Sequence, residues 1–153
     1  SFHGFEVPAR GTAKTQAVRY PLADVCVQMD KVRDIQKADP NVSGLALHLT
    51  SEHDGNTDAA HPTIKLAMNS LDAGSVQRPH RHNSVALTLP IHSEGVYSVI
   101  EGNRLDWQQY ALMITPPAEL HEHHNEGEEM MLSLVIQDGG LYFRCRTIGF
   151  SFD

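Results

Sequence analysis

Hydrophobic and polar residues alternate with a period of two in several short stretches of the second half of the chain. In residues 64–68 and 85–89 an apolar side chain occupies every second position, and residues 96–100 alternate in the same way with Ser98 between Val96 and Ile100. Such a period places successive side chains on opposite faces of an extended strand. Two further apolar runs, 130–136 and 141–150, flank a glycine-rich turn and are also predicted as strands. Short strands separated by regular turns predict an all-β sandwich or barrel.

The first 62 residues follow a less regular pattern, and we expect them to form an irregular arm with lead-in elements. Four local elements are predicted from residue 23 onward: an edge strand over 23–29, a short helix over 30–39, a strand over 44–49 and a loop over 50–62. Pro40 is expected to end the helix. No internal repeat is visible. The sequence therefore predicts one domain, with the arm over 1–62 and the barrel core over 63–153.

Composition narrows the classes of function. A chain of 153 residues suits one domain with a full hydrophobic core. The formal net charge of −7 argues against a nucleic-acid partner, because phosphate binding needs a basic face. We expect no membrane association, since no apolar run is long enough to cross a bilayer. Cys26 and Cys145 form no disulfide framework, which favours a cytoplasmic location, and Cys145 is expected to be buried in the last predicted strand.

Histidines form the main candidate for chemistry. His80 and His82 flank Arg81, and His121 and His123 repeat this spacing farther along the chain. On a strand, residues two apart share a face, so each pair can point into a barrel while Arg81 points away. Imidazole suits Fe, Mn, Ni, Cu and Zn, and three protein ligands would leave positions open for substrate. From spacing alone, surface histidines remain the alternative to a metal site.

The residues around these histidines resemble the two sequence motifs of the cupin superfamily. The matching residues are Gly74, His80 and His82 in the first motif, and Pro116, His121 and Asn125 in the second. Two glycines of the second motif are replaced, by Tyr110 and Ala118. The resemblance implies an all-β cupin fold, a jelly-roll-like antiparallel β-barrel. It also implies that His80, His82 and His121 hold one divalent metal ion.

A missing glutamate narrows the resemblance. Most metal cupins carry a glutamate ligand four or five residues after the second histidine, where this chain has Ala86 and Leu87. The resulting three-histidine set and the residues of both motifs are similar to those of the gentisate 1,2-dioxygenases and salicylate 1,2-dioxygenases. Those enzymes use Fe(II) and O₂ to open an aromatic ring. The resemblance implies Fe(II) as the favoured metal, with Zn, Ni, Mn or Cu as alternatives, and O₂ as a co-substrate.

Other positions depart from that group. Thr88 stands where those enzymes place an arginine for the substrate carboxylate, and Val135 stands where an aspartate is expected. Leu120 replaces a tryptophan that usually precedes the third histidine. A hydroxyl does not replace a bidentate guanidinium contact. The resemblance therefore supports the metal site more strongly than it supports gentisate as the substrate.

These observations predict a metal-dependent cupin, a mononuclear Fe(II) ring-cleaving dioxygenase-like enzyme acting on a small aromatic or oxygenated substrate. His123 is the candidate general acid/base, with a merely packed histidine as the alternative. Thr88, Tyr97 and Gln109 are candidates for the substrate pocket. Two other functions stay open: a non-catalytic cupin that binds a small ligand or metal, and a metal-dependent isomerase or lyase. Because a small barrel has open sheet edges, we also expect a homo-oligomer such as a dimer.

Overall fold

Two five-stranded antiparallel sheets lie on either side of one cavity in the computed structural model of this protein. The structure describes residues 17–36, 44–51 and 60–153. The predicted arm before residue 17, the helix end at Pro40 and most of the predicted loop over 50–62 lie outside the described residues.

The described part of the chain forms two helices and ten strands. These elements are α1 (Leu22–Gln36), β1 (Leu45–Leu49), β2 (Lys65–Leu71), β3 (Val76–His82), β4 (Ala86–His92), β5 (Val96–Ile100), β6 (Asn103–Asp106), β7 (Met113–Thr115), β8 (His121–Asn125), β9 (Met131–Gln137), α2 (Gly139–Arg144) and β10 (Phe150–Phe152). The first sheet has the strand order β1-β2-β9-β4-β7, and the second has the order β10-β3-β8-β5-β6. The all-β prediction is confirmed, and the alternating stretches become β2, β4 and β5.

The apolar face of the first sheet points away from the cavity and is covered by α1. Buried side chains of α1 and of strands β1 and β2 pack in one cluster, together with partly buried residues of β2 and β9. The buried members are Val25, Met29, Leu45, Leu49 and Met68. Because side chains alternate along a strand, the opposite face of the same sheet presents smaller and more polar residues to the cavity.

The edge strand predicted over 23–29 is wrong, because this segment is the N-terminal half of α1. Its apolar residues fit both periods: Val25 and Val27 are two apart, whereas Val25 and Met29 are four apart. In the structure Val25 and Met29 are buried and Val27 is 53% exposed, which is the helical pattern. The helix predicted over 30–39 therefore begins earlier, at Leu22, and takes in the predicted edge strand.

The strand predicted over 141–150 is also wrong. Residues Gly139–Arg144 form α2, and only Phe150–Phe152 pair with β3 as a strand. The helix replaces strand pairing with local hydrogen bonds, such as Cys145 N–H to the Leu141 carbonyl at 3.0 Å. Cys145 ends this helix and is exposed, so its predicted burial is corrected as well.

The predicted boundary between arm and barrel falls beside a strand that belongs to the first sheet. Strand β1 pairs with β2 over five residues, so residues before 63 contribute to the wall of the barrel. No helix among the described residues is long and apolar enough to cross a membrane. The division at residues 62 and 63, the cytoplasmic location and the dimer stay predictions.

Candidate metal centre

Three of the predicted histidines converge in the cavity between the sheets. His80 and His82 lie two residues apart on β3, and His121 begins β8, which pairs with β3 so that His80 stands opposite His121. One ring nitrogen from each histidine lies within 4.8 Å of the corresponding nitrogens of the other two. Arg81 points away, as predicted, and its guanidinium contacts the Glu101 carboxylate at 2.9 Å. The strand pairing thus brings together residues that are about 40 positions apart in the sequence.

Backbone carbonyls fix the orientation of all three rings. Each Nδ1 lies 2.8 Å from a carbonyl oxygen, and the pairs are His80 with Arg78, His82 with Ser84 and His121 with Glu119. A carbonyl oxygen only accepts hydrogen bonds, so the ring proton belongs on Nδ1. The Nε2 lone pairs of His80 and His121 are left available to a metal ion, in the arrangement that metal-binding histidines use. The Nε2 lone pair of His82 meets only the side-chain amide of Gln137, in a long contact of 3.4 Å.

Burial favours the uncharged form of two of these rings. It lowers the pKa of His80, against a hydrogen bond to the Arg78 carbonyl that raises it and the nearby His82 that lowers it further. Burial also lowers the pKa of His121 to about 4, with the hydrogen bond to Glu119 opposing and His80 and His82 adding to the effect. Uncharged imidazole is the form that binds metal ions.

His123 lies on the same face of β8 as His121, but its hydrogen bonding differs from that of the other three. Its Nδ1 is 2.7 Å from the Ser98 hydroxyl oxygen. The same oxygen accepts a hydrogen bond of 2.7 Å from the Trp107 indole N–H. Of the two side-chain partners of the Ser98 hydroxyl among the described residues, Trp107 N–H can only donate, so the hydroxyl proton is assigned to His123 Nδ1. The proton of the neutral ring therefore belongs on Nε2. Burial lowers the pKa of His123 to about 3, and the neighbouring histidines add to this effect.

Ser98 and Trp107 are site residues that the sequence did not single out. Ser98 is a cross-strand partner of His123, and its side chain occupies an inward position of β5 between Val96 and Ile100. A serine within an apolar alternation was the available signal, because a buried hydroxyl needs a partner. Trp107 follows β6 and offered no comparable signal.

Replacing Ser98 by alanine is expected to destabilise the fold. The change leaves Trp107 N–H and His123 Nδ1 without a partner at a position that is 1% exposed. The expected loss is about 1–3 kcal/mol in the free energy of unfolding, measured by urea titration. Ser151→Ala, on the exposed strand β10, is the matched control and should change stability by less than about 0.5 kcal/mol. Equal losses in both variants would contradict a role for the Ser98 hydrogen bonds.

The cavity that holds the histidines has a volume of about 340 Å³ and takes its walls from both sheets. Two cross-strand rows of β2, β9 and β4 form one wall, and Asn69 of β2 extends it: the rows are Lys65, Gln137 and Ala86, and Ala67, Val135 and Thr88. The first row is nearest to the three histidines, because Gln137 Nε2 lies 3.4 Å from His82 Nε2. A space of this size suits a small molecule.

Known proteins share this architecture. No protein-family model matches the chain. Gentisate 1,2-dioxygenase from Ralstonia sp. is 28% identical over 132 residues, which are 86% of this chain and 36% of that enzyme. A variant of salicylate 1,2-dioxygenase from Pseudoaminobacter salicylatoxidans, solved in complex with gentisate, matches 96% of this chain and 41% of its own with a TM-score of 0.85 and 20% identity. A cupin-2 domain from Rhodospirillum rubrum matches 65% of this chain and 62% of its own with a TM-score of 0.52 and 16% identity. This chain has the cupin fold and resembles gentisate 1,2-dioxygenase.

The chain spans about a third of the length of the Ralstonia relative, since the alignment covers 36% of that enzyme. The structural match likewise covers 41% of the salicylate dioxygenase chain. The similarity therefore extends over only part of each of those proteins.

The residues that replace two motif glycines in this chain adopt a backbone conformation that favours glycine. Tyr110 has φ of 63° and Ala118 has φ of 65°, both in the left-handed region that favours glycine. The Ala118 turn lies beside the metal centre, because its N–H donates to the His82 carbonyl at 2.8 Å and its own carbonyl accepts from Arg81 at 3.0 Å. These hydrogen bonds hold a conformation that costs a non-glycine residue about 1–2 kcal/mol.

Of the three predicted pocket residues, only Thr88 lines the cavity. Tyr97 lies on the opposite face of β5, where its ring stacks on His124 at 4.5 Å and its hydroxyl donates to Glu126 at 3.0 Å. Gln109 donates its side-chain N–H to the Ile91 carbonyl at 2.8 Å in a separate surface cleft. The pocket positions predicted for Tyr97 and Gln109 are therefore corrected. Tyr97 is displaced by strand alternation, since its neighbour Ser98 is the residue that faces inward.

Proposed function

We propose that this cupin binds one divalent metal ion through His80, His82 and His121, and that it is a mononuclear dioxygenase-like enzyme for a small aromatic or oxygenated substrate. The observation that carries the proposal is the shared hydrogen-bonding pattern of the three rings. Each ring keeps its proton on Nδ1 and leaves Nε2 unprotonated within a cavity large enough for a ligand. The likeness to ring-cleaving dioxygenases supports the reaction class.

The residues present fit Fe(II) as the proposed metal. Three imidazole nitrogens without a carboxylate ligand leave coordination positions open, and imidazole also suits Zn, Ni, Mn and Cu. When bound, Fe(II) would supply the transfer of electrons between substrate and O₂. No described residue of the cavity wall is an aspartate or glutamate that could act as a fourth ligand.

His123 is proposed to hold a proton at Nε2 and to offer it to an oxygen of the substrate. Ser98 donates to Nδ1 of this ring, so Nε2 carries the hydrogen that remains for a ligand. Trp107 fixes Ser98 in turn and packs edge-on against His123, with 5.4 Å between the ring centroids. The low pKa of His123 favours a neutral hydrogen-bond donor over a charged acid.

A non-catalytic ligand-binding cupin is the second candidate, and one row of the cavity wall favours it. Thr88 and Val135 are direct cross-strand partners on β4 and β9. The arginine and aspartate that the dioxygenase resemblance implies would therefore be neighbours, and both are absent from the same place. An isomerase or lyase would use the same metal site without consuming O₂.

Metal analysis followed by oxygen uptake tests the proposal. Protein purified without an affinity tag is expected to contain about one metal ion per chain, because the site offers three ligands. The Fe(II)-loaded protein is then supplied with gentisate and salicylate in an oxygen electrode. Oxygen uptake that depends on the aromatic compound would support the dioxygenase. Bound metal without uptake under these conditions would favour the binding protein, and turnover without O₂ would favour the isomerase or lyase.

His123→Gln is expected to keep the metal and slow the reaction. The ring lies next to the three proposed ligands, but its Nδ1 is engaged by Ser98. Loss of a positioned hydrogen-bond donor to a substrate oxygen typically slows turnover on the order of 10²-fold. Metal content and oxygen uptake are measured on the same sample, with His92→Gln as a control outside the cavity. Loss of metal from His123→Gln would instead make His123 a ligand.

A further inference from the structure

Lys65 is a charged residue of the cavity wall that the proposed function does not use. Among the described residues that line the cavity, it is the only lysine or arginine, and none of the others is an aspartate or glutamate. The wall therefore presents one permanent positive charge and no negative charge. A cavity of this composition favours an anionic ligand.

The strand register places Lys65 close to the metal centre. Lys65 begins β2 directly opposite Gln137 on β9, and the amide nitrogen of Gln137 lies 3.4 Å from His82 Nε2. Directly opposed residues on one face of a sheet have Cβ atoms about 5 Å apart. The four-carbon stem of lysine can span such a distance, so its ammonium can reach a ligand held beside His82 and Gln137.

The ammonium of Lys65 is only weakly held by the protein. Its Nζ lies 5.5 Å from the centroid of the Phe143 ring, near the outer limit of a cation–π contact. The described residues offer it no carboxylate within salt-bridge distance. The side chain is half-buried, so turning it toward the cavity requires only a change of rotamer and the loss of one weak contact.

We propose that Lys65 pairs with a carboxylate of the ligand and thereby selects carboxylate-bearing compounds for this site. The inference rests on the proposed metal-binding function and adds to it a residue that determines specificity. Lys65 would supply, from β2, the positive charge that Thr88 on β4 lacks. The amide of Gln137, between Lys65 and His82, would donate a hydrogen bond to the same ligand. A lysine ammonium acts as a point charge, so recognition would depend on charge more than on bidentate geometry.

Anaerobic ligand binding tests this proposal without any need for turnover. The protein is loaded with Zn(II), and the dissociation constants of salicylate and of its uncharged analogue salicylamide are measured by calorimetry. Lys65→Met is expected to weaken salicylate binding about tenfold, because a charged hydrogen bond is lost, while salicylamide binding changes little. Lys65→Arg should retain most of the salicylate affinity. Lys31→Met, on the exposed surface of α1, is the matched control and should bind as the wild type does.

The outcomes separate this inference from the proposed function. Equal weakening of both ligands by Lys65→Met, no weakening of either, or no binding of salicylate to the wild type would overturn the role of Lys65. If Lys65→Met changes neither oxygen uptake nor salicylate affinity, the role of Lys65 is contradicted but the dioxygenase function is not. Another outcome is that the wild type prefers salicylate to salicylamide, that Lys65→Met loses this preference, and that the Fe(II)-loaded wild type takes up no oxygen. This outcome would support the role of Lys65 in binding and contradict the dioxygenase function.

Discussion

Replacing His82 by alanine is expected to abolish stoichiometric metal binding. His82 is the least buried of the three converging histidines, so its truncation disturbs the barrel less than the loss of His80 or His121. Loss of a residue that only supports a ligand typically lowers metal affinity by roughly 10–100-fold. Loss of a ligand itself should lower the affinity further. Elemental analysis after dialysis is expected to find less than about a tenth of the wild-type metal content.

His92→Ala is the matched control for this experiment. His92 ends β4, and its imidazole contacts the Met130 carbonyl at 2.9 Å and the Glu129 carboxylate at 3.2 Å, outside the cavity. This variant should retain the full metal content. Circular dichroism of both variants would establish that they are folded. Full occupancy in folded His82→Ala would remove His82 from the proposed ligand set.

Replacing Asn125 by alanine is expected to cause the largest loss of stability among the single changes considered. Asn125 is 1% exposed, and its amide nitrogen donates to the carbonyls of Leu71 at 2.9 Å and Glu129 at 2.8 Å. Its amide oxygen accepts from Gly127 N–H at 3.0 Å. Each buried group left without a partner costs about 1–3 kcal/mol, so a total of about 3–5 kcal/mol is expected.

The stability of Asn125→Ala is measured by urea unfolding and by the melting temperature, which should fall by about 10 °C for a chain of this size. Asn103→Ala is the control, because Asn103 is exposed and its amide makes only long hydrogen bonds within the β5–β6 turn, at 3.4 and 3.2 Å. A loss of less than about 1 kcal/mol is expected there. Similar losses in the two variants would contradict the structural role assigned to Asn125.

The sequence predicted the barrel strands well because the alternation of apolar and polar residues in them fits only an extended strand. In β2 and β4, apolar side chains at every second position can be buried together only on an extended backbone. The same reasoning failed for residues 23–29, where Val25, Val27 and Met29 satisfy two periods at once. Only the packing of α1 on the first sheet decides between them, and that contact joins residues far apart in the sequence.

The histidine cluster was predictable in its members but not in its chemistry. Spacing indicated that His121 and His123 share a face, and the structure agrees. Spacing did not reveal that carbonyls orient the three converging rings while Ser98 orients His123, because these partners come from other parts of the chain. The pocket residues were the weakest part of the prediction, since the cavity wall depends on the register between β2, β9 and β4.

The short strand β10 is expected to couple the metal centre to local unfolding. It is exposed along its whole length, yet it pairs with the strand that carries two of the converging histidines, with Phe150 opposite His82 and Phe152 opposite His80. The Phe150 ring also stacks on His80, with 5.3 Å between the ring centroids. A short exposed edge strand opens more readily than the core. Amide hydrogens of β3 and β10 should therefore exchange with solvent deuterium together, and bound metal should slow both.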